Sequence, residues 1–127
     1  MAAIRYDRSP GGHTMTDETT ATTSGATGAG VITAIARLQA RPGLEAEVRA
    51  QALSLVEPTR AEAGNISYRA YEDPSAPGAW VILEEWADGA SWEAHLASPH
   101  LAGALARTAA LLAEAPVLRV FPPALPS

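Results

Sequence analysis

Residues Ala79 to Trp86 read as a β-strand that is apolar on both faces, and few folds accept such a strand. Side chains alternate along a strand, so Trp80, Ile82 and Trp86 share one face while Val81 and Leu83 share the other. Val31 to Ala40 repeats the pattern, with Ile32, Ala34, Ala36 and Leu38 opposite Val31, Thr33, Ile35 and Arg37. An antiparallel sheet with helices on one side ordinarily turns a polar face to water. Here both faces call for cover.

The segments between these strands supply cover for one face only. Arg41-Pro42-Gly43 is a turn signal. The helical spacing of Leu44, Val48, Ala52, Leu55, Val56 and Thr59 then predicts a helix over 44–63. Glu45 and Glu47 suit its first turn, Pro58 should kink it, and Gly64 should end it in a left-handed conformation. Asn65 to Asp73 reads as a strand, Pro74 to Gly78 as a hairpin loop, and Ala79 to Trp86 as the next strand. Asp88 caps a short helix through Ala97. Ser98-Pro99 opens another, whose inward stripe is Leu101, Leu105, Thr108 and Leu112. Val117 to Phe121 forms the last strand. The order β-α-β-β-α-β is that of an α+β, ferredoxin-like fold, an antiparallel sheet with helices on one face. Nothing in the chain is left to cover the second face, so a homodimer is expected, sheet against sheet.

Residues 1–29 differ in character from 30–127, which form the one expected domain. Thr16 to Gly30 is a Thr/Gly/Ala/Ser run with little to bury, and reads as a flexible N-terminal tail. The break in character at Met15 suggests a start there instead of at Met1. A net charge of -5 with nine scattered Lys and Arg disfavours nucleic acid as a partner. With no cysteine, disulfides, thiolate metal sites and a cysteine nucleophile are excluded. His13, His95 and His100 are too dispersed in sequence to suggest a metal site by themselves. No apolar run reaches the roughly 18 residues of a membrane span, and no signal-peptide core is evident, so a cytoplasmic protein is expected.

The richest stretch chemically runs from Glu84 to His100. It joins an apolar strand to a helix through an acidic turn and gathers a tryptophan, two carboxylates and a histidine at one corner. Glu84 and Glu85 alternate across the sheet, so only one can face a pocket; Tyr68 and Tyr71 likewise point to opposite faces. Trp92 lies one helical turn before His95 and suits either the core or a pocket lid. His95 itself could instead pack on its helix and bond a carboxylate such as Glu85.

Four segments together resemble the antibiotic biosynthesis monooxygenase family of dimeric α+β barrels. They are Pro42-Gly43, Glu62 through Tyr68, Glu84-Glu85-Trp86, and His95 through His100, and the likeness spans about residues 31–122. The resemblance implies a pocket in each protomer for a flat phenolic or polycyclic substrate. It further implies oxidation of that substrate by O2 with no cofactor and no metal. His95 would then be the proton acceptor, Trp86 an apolar wall with an N–H donor, and Asn65 a donor to the developing oxyanion. Trp92, Glu84, Tyr71 and His100 would complete the substrate site.

Four departures narrow the choice. The anthrone-oxidising branch carries an asparagine where this chain has Ile82, which favours hydroquinone-type substrates. The haem-degrading branch has a tryptophan at the place of His95, a histidine near Leu105 and an asparagine near Ala34, so haem degradation is disfavoured. Two alternatives stay open: an isomerase of a small phosphorylated signalling molecule, which would need cations such as Arg37 and Arg69, and a ligand-binding dimer without chemistry.

Overall fold

The computed structural model describes residues 4–6 and 29–126. Arg5–Tyr6 is a two-residue strand, β1. It is followed by β2 (Ile32–Gln39), α1 (Glu45–Ser54), α2 (Val56–Arg60), β3 (Asn65–Glu72) and β4 (Ala79–Trp86). Next come α3 (Gly89–Leu96), α4 (Pro99–Thr108), a 3-10 turn over Ala109–Leu111 and β5 (Val117–Phe121). The sheet runs in the order β1-β5-β2-β4-β3. Among its four long strands each neighbouring pair is antiparallel, as the order of segments predicts, and they form the ferredoxin-like α+β fold.

Alternation decides which side chains meet the helices. Ile32, Ala34, Tyr68, Trp80, Ile82, Glu84, Trp86 and Leu118 are all buried. The opposite face carries Thr33, Ile35, Arg37, Val81, Leu83, Arg69 and Tyr71, of which Arg37, Val81, Arg69 and Tyr71 are exposed. The apolar side chains there leave the second face as greasy as the sequence suggests.

Two features depart from the sequence reading. The helix expected over 44–63 is two helices, divided at Leu55 and not at Pro58. The cause is still Pro58: lacking an N–H, it cannot bond the carbonyl four residues back, on Ser54, and the first helix ends there. The second concerns residues 1–29. Ile4 packs against the core formed by Ile32, Ala34, Trp86, Trp92 and Leu118, and Arg5–Tyr6 pairs in parallel with β5. The remaining readings for that stretch, a flexible tail and a start at Met15, lie outside the described residues, as does His13.

Three local devices set the corner where β4 meets α3. Asp88 accepts from the backbone N–H of Ser91, at 2.8 Å, and so caps α3. Ser98 does the same for α4 through Leu101, with Pro99 in the first turn. Gly64 has a φ of +85°, and a Cβ there would collide with the Ser91 side chain. Only glycine lets the turn after α2 press this closely on the start of α3. That approach carries Glu62, two residues earlier, to the buried side of α3.

Candidate functional site

Between the helix-facing side of the sheet and the helices lies a cavity enclosing about 670 Å³ of empty space, the solvent at its open mouth included. Its wall is mostly aliphatic, supplied by Leu55, Ile82, Leu96, Leu101 and Leu105 among others, with Ile4 from just before β1. Of the stripe expected on α4, Leu101, Leu105 and Thr108 line the cavity, whereas Leu112 lies beyond α4 in the core with Trp80. The polar side chains in the wall are few: Tyr68, Glu84, His95, Gln51 and Thr108.

His95 is the hub. It is 2 % exposed, one helical turn from Trp92, and stacks on Trp86 with ring centroids 4.7 Å apart. Its Nδ1 lies 2.7 Å from Oε2 of Glu62, and its Nε2 lies 3.5 Å from Oε1 of Glu84. The same Oε2 of Glu62 stands 2.7 Å from Nε2 of His100. An ionised carboxylate oxygen can accept from both rings, which places a hydrogen on His95 Nδ1 and on His100 Nε2. Nε2 of a neutral His95 is then an unprotonated base beside Glu84 at the cavity wall.

The electrostatics follow from burial. Desolvation lowers the pKa of His95, partly opposed by the hydrogen bond and charge of Glu62, so the neutral ring is favoured. Burial pushes the Glu84 carboxyl up to about 7, against the N–H of Trp86, which donates to Oε1 at 3.0 Å. The charge of Glu62 adds to that rise. Tyr68 is raised by burial and by the nearby Glu84 and Glu62, so its phenol keeps its proton.

The structure brings together His95, Trp86, Glu84, Trp92 and His100, though not all at the cavity. Trp92, Glu84 and His95 are in the wall, whereas Trp86 is fully buried behind His95 and acts through Glu84. His100 sits beyond Glu62, at the partly exposed outer end of the cluster. Asn65 spends its amide on the backbone carbonyls of Ser67 and Glu85, pinning the bulge where β3 begins, and is not part of the wall. Tyr71 is corrected: it pairs with Val81 on the opposite face, 50 % exposed, and Tyr68, paired with Glu84, takes the place in the wall. Glu85 also faces away, accepting from Ser67 Oγ, so the carboxylate partner of His95 is Glu62. Arg37 and Arg69 lie on the far face, away from the cavity.

Glu62 is the residue that sequence reasoning missed as a functional group. The dispersion of the histidines is also corrected, because Glu62, His95 and His100 present donor atoms within 4.8 Å of one another. Two imidazoles and a carboxylate form a donor set that a divalent ion can use. Ligands about 2.1 Å from one ion, however, stand roughly 3.0–3.4 Å apart. The two 2.7 Å contacts are those of hydrogen bonds.

Comparison with known proteins matches residues 31–107 to the family model described as antibiotic biosynthesis monooxygenase. A Bacillus subtilis protein named "Putative monooxygenase YcnE" is 34% identical over 77 residues, covering 61% of this chain and 81% of that one. Rv0793 of Mycobacterium tuberculosis, which carries the same kind of name, is 32% identical over 92 residues, covering 72% and 90%. The solved structure of Rv0793 superposes with a TM-score of 0.70 over 76% of this chain and 98% of its own. PA3566 from Pseudomonas aeruginosa gives a TM-score of 0.70 at 27% identity, over 76% and 97%. Among the described residues no helix is long and apolar enough to cross a membrane.

Proposed function

The chain belongs to the antibiotic biosynthesis monooxygenase family, and from that premise we propose that it oxidises a hydroquinone, anthrone or related polyphenol with O2, without a cofactor. The observation that carries this reading is the place of His95, in the wall of an apolar cavity with Nδ1 held at 2.7 Å by Glu62 from behind, which leaves Nε2 as the base. A phenol seated against Trp92 and the aliphatic wall gives its proton to Nε2, and the electron-rich phenolate then reduces O2 directly. One oxygen atom enters the ring, and the other leaves as water with two substrate hydrogens. The substrate thus supplies all four electrons, and no outside reductant is required. Water exclusion by the aliphatic wall strengthens each electrostatic contact inside. Glu84, protonated below about pH 7, can donate to the developing oxyanion.

The same reading includes a homodimer, with the face of Ile35, Leu83 and Val81 covered by a second copy. Placement of Arg37 and Arg69 on that outer face gives no support to a phosphate-directed isomerase.

The test is oxygen uptake with a panel of reduced quinols and anthrones, together with 18O2 labelling of the product. Label in the quinone and a loss of turnover of about 100-fold or more in His95→Gln are expected. A folded protein that consumes no O2 with any of the panel would overturn the proposal.

A further inference from the structure

The cluster behind the cavity is larger than proton abstraction needs. A single base would require His95 and one carboxylate to orient it. Here a second histidine shares that carboxylate, and the four groups form one line from the cavity outward: Glu84, His95, Glu62, His100. Exposure rises outward from His95, the side chains being 2 % exposed at His95, 15 % at Glu62 and 26 % at His100, with Glu84 at 6 % on the cavity side. The phenol proton that His95 takes up finally leaves in the water formed from O2, so net export is not required of this line. It lets the His95 ring exchange its proton with solvent between turnovers.

We infer that Glu62 and His100 form a proton relay that connects His95 to solvent behind the cavity. A proton arriving at Nε2 of His95 from the cavity side is matched by one leaving Nδ1 for Oε2 of Glu62. The relay runs from the His100 tautomer that carries its hydrogen on Nδ1, which the ring reaches by exchange with water: Nε2 takes the proton from Glu62 and Nδ1 gives its own to water. Every step exchanges one N–H or O–H bond for another; one proton moves outward and no electrons move. Both 2.7 Å contacts are short enough for proton transfer between the groups they join. The packing keeps the line in register. Trp86 stacks on the His95 ring, and Ser98, which caps α4, places His100 in its first turn. The titratable groups that face His95 are Glu62, Glu84, Tyr68 and His100, and no lysine or arginine is among its recorded partners. The lowered pKa of His95 suits a ring that must give up the proton it receives.

The use of this relay in turnover rests on the phenol oxidation proposed above, whereas its existence is a property of the resting protein. The test is therefore made first without substrate. The ring N–H of His95 is observed by NMR in 15N-histidine-labelled protein, and its exchange with water is measured by saturation transfer. In the native chain the exchange is expected to be fast. Glu62→Gln and His100→Gln keep a hydrogen-bonding side chain of similar size but cannot carry a proton onward. Each should slow the exchange at least tenfold with the far-UV spectrum unchanged. His100 lies at the surface end, so its variant serves if the other fails to fold. Equal or faster exchange in the variants would mean that water reaches His95 by another path, and would overturn the relay. Quinol oxidation then separates the two proposals. Normal exchange with no oxidation of any substrate sinks the activity and leaves the relay. Slowed exchange with native turnover shows that the relay exists but not that catalysis uses it, and removes its catalytic role.

Discussion

Replacing Glu84 by glutamine should change how stability depends on pH, and the size of the change follows from burial. The Glu84 side chain is 6 % exposed, and desolvation raises its pKa from 4.5 to about 7. The N–H of Trp86 opposes that rise and the charge of Glu62 assists it. Between these two values the folded protein holds a proton that the unfolded chain has released. Stability from this group is thus full below pH 4.5 and is lost as pH climbs through about 7. A shift of two to three units corresponds to about 3 kcal/mol. Glutamine fills nearly the same space and does not titrate. The difference in unfolding free energy between Glu84→Gln and the native chain should therefore move by about 3 kcal/mol in favour of glutamine between pH 4.5 and pH 8.5. Other ionisable groups cancel in that difference, and His95, kept neutral by burial over the upper part of the range, adds little. Urea unfolding at a series of pH values and one fixed protein concentration gives the numbers by linear extrapolation. A difference that stays flat within about 0.5 kcal/mol would show that the carboxyl is hydrated, and the account of this cavity wall would fail.

Other changes probe separate parts of the same construction. Trp86→Phe keeps the stacked ring but removes the donor to Glu84, so the carboxyl should titrate about one unit or more above its native value; 13C NMR of the Glu84 carboxyl reads this directly, and an unmoved titration refutes it. Gly64→Ala adds a clash with Ser91 to an unfavourable positive φ and should cost about 2 kcal/mol or more. Gly43→Ala, with a φ of +90° but open space, should cost only about 1 kcal/mol; equal losses in the two would remove the close-approach argument. Leu83→Arg, on the outer sheet face, is expected to yield a folded monomer by light scattering, and a dimer that persists would place the contact elsewhere.

The order of elements was legible because each carries a local signal. Two-residue alternation marks Ala79–Trp86, Asp88 and Ser98 announce helix starts, and Gly64 announces a helix end. The break at Leu55 was readable only in kind, since the carbonyl that Pro58 leaves unpaired belongs to a residue four positions earlier. Alternation shows that Tyr68 and Tyr71 face opposite ways, but which faces the cavity depends on register. Tyr68 is set opposite Glu84 and Tyr71 opposite Val81. Asn65 and Ser67 have equal parity and would share a face in a regular strand; the bulge between them breaks that rule and turns the asparagine amide to backbone carbonyls.

Glu62 was beyond any local rule. It lies 33 residues from His95 and 38 from His100, on a turn with no periodicity to reveal which way its carboxylate points. What carries it inward is the closeness of Gly64 to Ser91, a contact between the end of one crossover and the start of the next. The sequence shows that glycine only as a helix terminator. The same small residue therefore has two roles, ending a helix and setting the separation between two turns, and the second decides whether His95 has a proton acceptor behind it. A larger side chain at position 64 would push Glu62 away from His95 while leaving the strands and the cavity wall in place. The secondary structure would survive that change, and the ionisation of His95 would not.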